Sequence, residues 1–320
     1  MKPPFTITPS IIKEVSQIER LVGKLEGLQD TKPQPYLRKS NRVRTIQGSL
    51  AIEGNTLDLD QITALLDGKK VLGPKNEIHE VLNAIEAYDQ ISSFHPHAMK
   101  DLLKAHQIMM KDLIKTAGKW RTSDVGILKG ADIAHVAPPP SRVQNLMQTL
   151  FEFLTNEEIH PLIQSCVFHY ELEFIHPFTD GNGRIGRFWQ HRLLIHYHPV
   201  FEFISVESIV KENQSDYYKA LEQADKSGQS TPFIEFSLSM IRQAIEDYLD
   251  ALKPKPLTAK RRLELAKEHF GFKQFTRKDY LKHFKKISTA TASRDLKQGV
   301  EEGWLTKTGE QANTFYSYRQ

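Results

Sequence analysis

The sequence is short of cysteine. Cys166 is the only one in 320 residues, which excludes an internal disulfide and any zinc cluster built on several thiolates. It sits among apolar residues and reads as a small buried hydrophobe. Long apolar runs are missing as well. No window approaches the ~18 apolar residues of a membrane-spanning helix, and Met1-Lys2-Pro3-Pro4 leads into no apolar signal core. No repeat or low-complexity tract is present. These absences point to a cytoplasmic protein without a membrane partner. What remains is an ordinary soluble composition, 39% hydrophobic and 26% charged, long enough for two or three domains.

The net charge of +4 hides an asymmetry. Residues 253–320 carry 16 Lys and Arg against 7 Asp and Glu, a balance of +9, and the remainder carries 27 against 32, a balance of −5. An acidic body with a basic tail suggests an anionic partner for the tail, nucleic acid among the candidates.

Helical periodicity dominates the body. Ile12, Val15, Ile18, Leu21, Val22 and Leu25 recur at three- and four-residue steps and predict one amphipathic helix over 11–28. "TKPQPYL" (31–37) reads as a Pro-broken connector. A second helix through "SNRVRTIQGSLAIEG" should stop near Gly54-Asn55. Thr56 is the expected N-cap of the next, with Asp60 favouring its N-terminus. Residues 118–141 change character, with glycines, β-branched pieces and a triple proline. They predict a small hairpin turning near Gly130. Helices resume after it, with Ser141 as the expected cap, and continue to the "KPKP" linker at 253–256.

Between two of these helices lies "HPFTDGNGRIGR", residues 176–187. With 176–183 as a loop and Gly183-Arg184 opening the outgoing helix, the first turn offers unpaired N–H groups and a partial positive charge to an anion. Gly181 and Gly183 allow close backbone approach, and Asn182 adds an amide donor. Arg184 and Arg187 lie three apart, one turn of the same helix, and two guanidiniums suit a polyphosphate. Asp180 is the one acid in this cationic loop and a candidate ligand for a divalent metal bridging phosphate oxygens. His176 is a candidate general base. Phe178 is expected to turn inward as an apolar peg. Each piece alone is ordinary, since Asp-Gly-Asn-Gly is a common turn and helix arginines are usually solvated. The joint spacing is not.

These residues resemble the core motif of the Fic (filamentation induced by cAMP) family, HPFx(D/E)GNGRxxR, at every fixed position. The likeness extends over "VGILKGADIAHVAPPPSRVQNLM", "NQSDYYKAL" and "SGQSTPFIEF". It implies a mainly α fold, a helical bundle with a small β-hairpin flap, and transfer of AMP from ATP to a Ser, Thr or Tyr hydroxyl of a target protein with Mg²⁺. It assigns the base to His176 and the metal to Asp180. The phosphate cradle falls to Gly181, Asn182, Gly183 and Arg184, with Phe178 in the same loop, and the γ-phosphate contact to Arg187. Asn213 and Tyr218 fall where relatives enclose the nucleoside. The flap, with Val125, Gly126, Ile127 and His135, would take the target segment as an added strand. "SLAIEGN" (49–55) matches the family's inhibitory pattern (S/T)xxxE(G/N) through Ser49, Glu53 and Gly54, which implies that Glu53 pairs with Arg187 and blocks productive ATP binding. In some relatives the same glutamate supports removal of AMP, and dimers are frequent.

Residues 275–318 read as helix, turn, helix and two short strands, a winged helix-turn-helix. Ser288 would cap the second helix and the wing would turn near Gly309. Thr289, Thr291, Ser293 and Arg294 are the candidates for base contacts in duplex DNA, and Lys282, Lys285, Lys286 and Lys297 for phosphates. The organisation expected is therefore an N-terminal helical region with the inhibitory helix (1–95), a Fic core (96–252) and a winged-helix domain (253–320). The competing readings are a nucleotide-sensing DNA-binding regulator, and a Fic scaffold that phosphorylates, transfers another nucleotide or removes AMP.

Overall fold

The computed structural model describes residues 3–28, 35–129, 132–253, 257–310 and 313–319. The connector at 31–34, the hairpin turn at Gly130 and the linker at 254–256 lie outside the described residues. The chain divides into two compact units, Met1–Leu252 and Lys253–Gln320.

The larger unit is helical. Helix α1 (Pro9–Glu26) starts at Thr8, whose hydroxyl accepts from the Ile11 N–H, and buries Ile11, Ile18, Leu21, Val22 and Leu25 along one stripe. Helix α2 (Pro35–Ile52) begins inside the stretch expected to be a connector, because proline is well suited to a first helical turn. It ends as a Schellman turn. Gly54 at φ +93 lets its N–H reach Ala51 O and the Asn55 N–H reach Leu50 O, so Glu53 stands at the helix cap.

Helix α3 (Leu59–Leu66) is capped by Asp58 in a capping box with Gln61, not by Thr56. The Thr56 N–H and hydroxyl both donate to the Glu77 carboxylate, so that hydroxyl is already committed. Helices α4 (Lys75–Asp89) and α5 (Met99–Met109) follow. Strands β1 (Gly126–Lys129) and β2 (Asp132–Val136) then form an antiparallel hairpin with a register shift between Ile127 and Leu128. Helix α6 (Pro140–Phe153) starts one residue before the expected Ser141 cap, because Pro140 takes the first position, where no N–H is needed.

Helices α7 (Pro161–Ile175) and α8 (Asn182–Tyr197) are buried around most of their circumference and form the centre of the unit. Helices α9 (Val206–Glu212), α10 (Gln214–Ser227) and α11 (Thr231–Leu252) complete it. Cys166 is fully buried on α7. Among the described residues, one apolar cluster runs from Ile11 to Tyr248.

The smaller unit has helices α12 (Ala259–Phe270), α13 (Arg277–His283) and α14 (Thr289–Glu301), then antiparallel strands β3 (Leu305–Thr308) and β4 (Phe315–Tyr318). Ser288 caps α14 by accepting from the Thr291 N–H. Helix α12 was not expected from the sequence. It supplies Leu263 and Ala266 to a separate core with Tyr280, Leu296, Leu305 and Tyr318. It also supplies Arg262, which grips the buried Asp295 through two hydrogen bonds of 2.6 and 2.7 Å.

Candidate active site

Helix α7 ends at Ile175, and His176 follows in the left-handed conformation at φ +50. A non-glycine residue there is uncommon and needs support from its surroundings. The chain then crosses to Gly181, at φ +83, which is the N-cap of α8. The helix therefore opens at Asn182, one residue earlier than expected, and the backbone N–H groups of 182–184 are its unpaired first turn.

Asn182 also closes the loop. Its side chain is buried, its Oδ1 accepts from the Phe178 N–H and its Nδ2 donates to the Phe178 carbonyl, both at 2.9 Å. In this two-way bond the Phe178 carbonyl takes one of the two N–H donors that the amide nitrogen carries. Phe178 is fully buried and stacks on His106 at 3.6 Å between ring centroids. It sits as an inward apolar peg.

His106, from α5, was missed by the sequence reading. Its Nδ1 accepts from the Gly118 N–H at 2.9 Å, so its proton is on Nε2, 3.0 Å from the Asp180 carbonyl. Burial pushes its pKa down to about 4, with a smaller downward push from Arg184, against the hydrogen bond to Asp180. It is a neutral support for the anion loop. A Cβ on Gly181 would lie 2.6 Å from Met110 Sδ and 3.3 Å from His106 Nε2, so position 181 needs glycine for space as well as for φ.

The two arginines are buried and engaged. Arg187 donates to Ser49 Oγ at 3.2 Å, to the Ser49 carbonyl at 3.0 Å and to Glu53 Oε1 at 2.7 Å. Burial works against its charge, but the Glu53 carboxylate, with Glu173 and Tyr217 behind it, raises its pKa above the usual arginine value. Glu53 Oε1 also stands 2.3 Å from where a Cβ on Gly183 would be. The acid thus lies over the first turn of α8. Arg184 donates to Glu80 Oε1 and to Asp180 Oδ1, each at 3.0 Å. Glu80, on α4, also accepts from Asn55 Nδ2 at 2.9 Å. The segment carrying Glu53 is thereby tied to the second arginine.

Around these groups, His176 Nδ1 is 3.4 Å from the Glu173 carbonyl oxygen. Burial raises the pKa of Glu173, but His169, whose Nε2 is 3.7 Å from its Oε1, with His176 and Arg187, brings it below the ordinary value. Asn213, between α9 and α10, donates to Ile209 O at 2.9 Å. Tyr218 is half-exposed, and its hydroxyl lies 3.4 Å from Ile52 O, one residue before Glu53. Gly126 pairs with Val136, and Ile127 with His135, in the hairpin; their side chains lie outside what the structure describes. Val125, just before β1, is partly exposed.

The family model described as Fic/DOC matches residues 96–194. Over its whole length the chain is 37% identical to a Fic family protein of Desulfovibrio desulfuricans G20, covering 98% of that chain with a TM-score of 0.77. The chain belongs to the Fic/DOC family. It is 30% identical over 243 residues, 70% of its length, to "Protein adenylyltransferase Fic" of Nematostella vectensis, and covers 52% of that protein. A protein of the same name from Culex quinquefasciatus is 29% identical over 79% of the chain, with 52% of that protein covered. The Fic chain thus spans about half the length of these curated relatives. A C. elegans Fic-1 segment, 22% identical with a TM-score of 0.62, shares the fold.

Proposed function

We propose that this site transfers AMP from Mg·ATP to a hydroxyl of a protein, and that Glu53 holds it in restraint. The observation that carries this reading is the ion pair of Glu53 with the buried Arg187, over an otherwise complete helix N-terminal anion site. Two buried guanidiniums and three backbone N–H groups suit a polyphosphate chain. A carboxylate on the second guanidinium suits a built-in competitor for the terminal phosphate.

In the reaction, the hydroxyl oxygen forms a bond to the α-phosphorus and the bond to the β-phosphate bridging oxygen breaks, releasing pyrophosphate. His176 takes the hydroxyl proton. The Glu173 carbonyl can only accept, so in the neutral ring Nδ1 carries the proton and Nε2 the lone pair. Arg184, Arg187 and the α8 N-terminus neutralise charge on the phosphates. Asp180 fits Mg²⁺ as one carboxylate ligand. Its side chain is 57% exposed, and Arg184 leaves one of its oxygens uncommitted. An ion held there would supply positive charge to offset that of the phosphates. The half-exposed Tyr218 stands where it can cover a nucleoside, and the hairpin would align the target chain by strand addition. Incubation with α-³²P-ATP and, separately, γ-³²P-ATP tests the reaction class. Transfer of the α label alone supports AMP transfer, and transfer of the γ label would mean phosphorylation.

The smaller unit supports a second reading, that of a winged helix bound to duplex DNA. Its buried acid Asp295 is taken by Arg262, and Asp279 is taken by Thr276 in the capping box of α13. Lys285, Lys286, Thr289 and Arg294 remain exposed at the start of α14. Ser293 is less suited to base contacts than the sequence implied, since its hydroxyl accepts from Arg277 at 3.0 Å. Duplex binding that weakens steeply with salt, and is lost in Lys285→Glu/Lys286→Glu, would support it.

A further inference from the structure

Arg121 lies in the irregular segment before β1 and is 2% exposed. Its guanidinium donates to four backbone carbonyls. Nε reaches His176 O at 2.8 Å, one terminal nitrogen reaches Ser123 O at 2.9 Å, and the other reaches Ile175 O at 3.3 Å and Pro138 O. Its own backbone N–H donates to Pro177 O at 2.9 Å. These partners fall in two groups. Ser123 and Pro138 are the two roots of the hairpin. Ile175, His176 and Pro177 are the end of α7 and the turn that carries the histidine. A cation is favoured at the negative end of a helix, and the wide planar five-donor fork of arginine can hold four separate carbonyls at once, where a lysine ammonium has three donors on one atom. The carbonyl held at 2.8 Å belongs to His176, the residue at φ +50.

We infer that Arg121 is a positioning residue that fixes the hairpin and His176 in one register, so that a hydroxyl presented by the hairpin arrives at the imidazole. Ile175 and His176 would lose their shared donor without it, and the hairpin roots would part from the histidine turn. ATP contacts none of these carbonyls in the reading above, so the effect falls on turnover and not on nucleotide binding. This inference rests on the AMP-transfer reading for its kinetic consequence but not for its geometric one.

The test uses full-length protein in a Glu53→Gly background, with Arg121→Lys and Arg121→Ala. The transfer probe is Mg·α-³²P-ATP with the chain's own hydroxyls as acceptors. The geometric probe is the NMR signal of the ¹³C-labelled His176 ring, assigned with His176→Ala. Arg121→Lys keeps a buried cation and guards against simple misfolding. The expected result is a kcat lower by about 10- to 100-fold with the KM for ATP within about 2-fold. The His176 signal should move in both variants, and millimolar guanidinium should restore part of both readouts in Arg121→Ala. An unchanged kcat, or a raised KM alone, overturns the inference. So does an unmoved His176 signal. If the Glu53→Gly parent transfers no label, the functional reading fails, while the His176 signal still decides the role of Arg121.

Discussion

Replacing Glu53 by glutamine links stability to nucleotide affinity. The substitution keeps the shape and one acceptor but removes the charge facing Arg187, which is 3% exposed. Removing one partner of a buried ion pair costs ~3–5 kcal/mol. Here the Glu53 side chain is 35% exposed, and Arg187 keeps both contacts to Ser49. Solvent screening therefore reduces the expected loss to roughly 1–3 kcal/mol. At roughly 2–4 °C per kcal/mol for a domain of this size, the ligand-free protein should melt several degrees lower. The same free energy reappears in binding, because wild-type protein must break this contact to seat a terminal phosphate. Calorimetric titration should show Mg·ATP binding roughly 5- to 150-fold tighter in the variant, with AMP, which has no such phosphate, nearly unaffected. An unchanged melting temperature with unchanged ATP affinity would refute the reasoning. Equal gains for ATP and AMP would refute it too, since they would place Glu53 away from the terminal phosphate.

Two further outcomes concern the loop. His106 titrates near 6.5 in the unfolded chain and at about 4 in the fold, so the unfolded state binds its proton first as pH falls. Its contribution is complete above about pH 6.5 and is lost toward pH 4, by about 3 kcal/mol at most. Urea unfolding at pH 5 and 7.5 should show a smaller acid loss in His106→Leu, and an equal loss would contradict the assignment. Gly181→Ala combines a φ of +83 with a Cβ 2.6 Å from Met110 Sδ, for which left-handed strain and overpacking predict a loss of roughly 2–4 kcal/mol. A loss below about 1 kcal/mol in chemical denaturation would show that the loop is not closely packed there.

Much of this was legible in the sequence because it is local. The apolar stripe of α1, the stop at Gly54 and the cap at Ser288 follow from periodicity and cap chemistry over a few residues. So does the loop-to-helix turn at Gly181 and Asn182, apart from a shift of one residue. Residues whose partners are distant were not legible. Arg184 and Glu80 are 104 residues apart, and nothing near either announces the other. Arg121 bonds only backbone carbonyls, which every residue has, so no side-chain pattern marks its role. The bonds of Asn182 to Phe178 were not legible either, because an amide beside two glycines gives no sign that it also closes the loop. Helix α12 was missed although Thr258 and Gly271 mark its ends, because its charges obscure the short stripe of Arg262, Leu263 and Ala266.

Transfer of label from Mg·α-³²P-ATP by the wild type, Glu53→Gly and Glu53→Gly/His176→Ala tests the central claim, that an intact AMP-transfer site is restrained by Glu53. The account predicts weak transfer by the wild type, strong transfer by Glu53→Gly and none by the double variant. Equal transfer by the first two would contradict the restraint. Undiminished transfer by the double variant would contradict the place of His176 in the reaction.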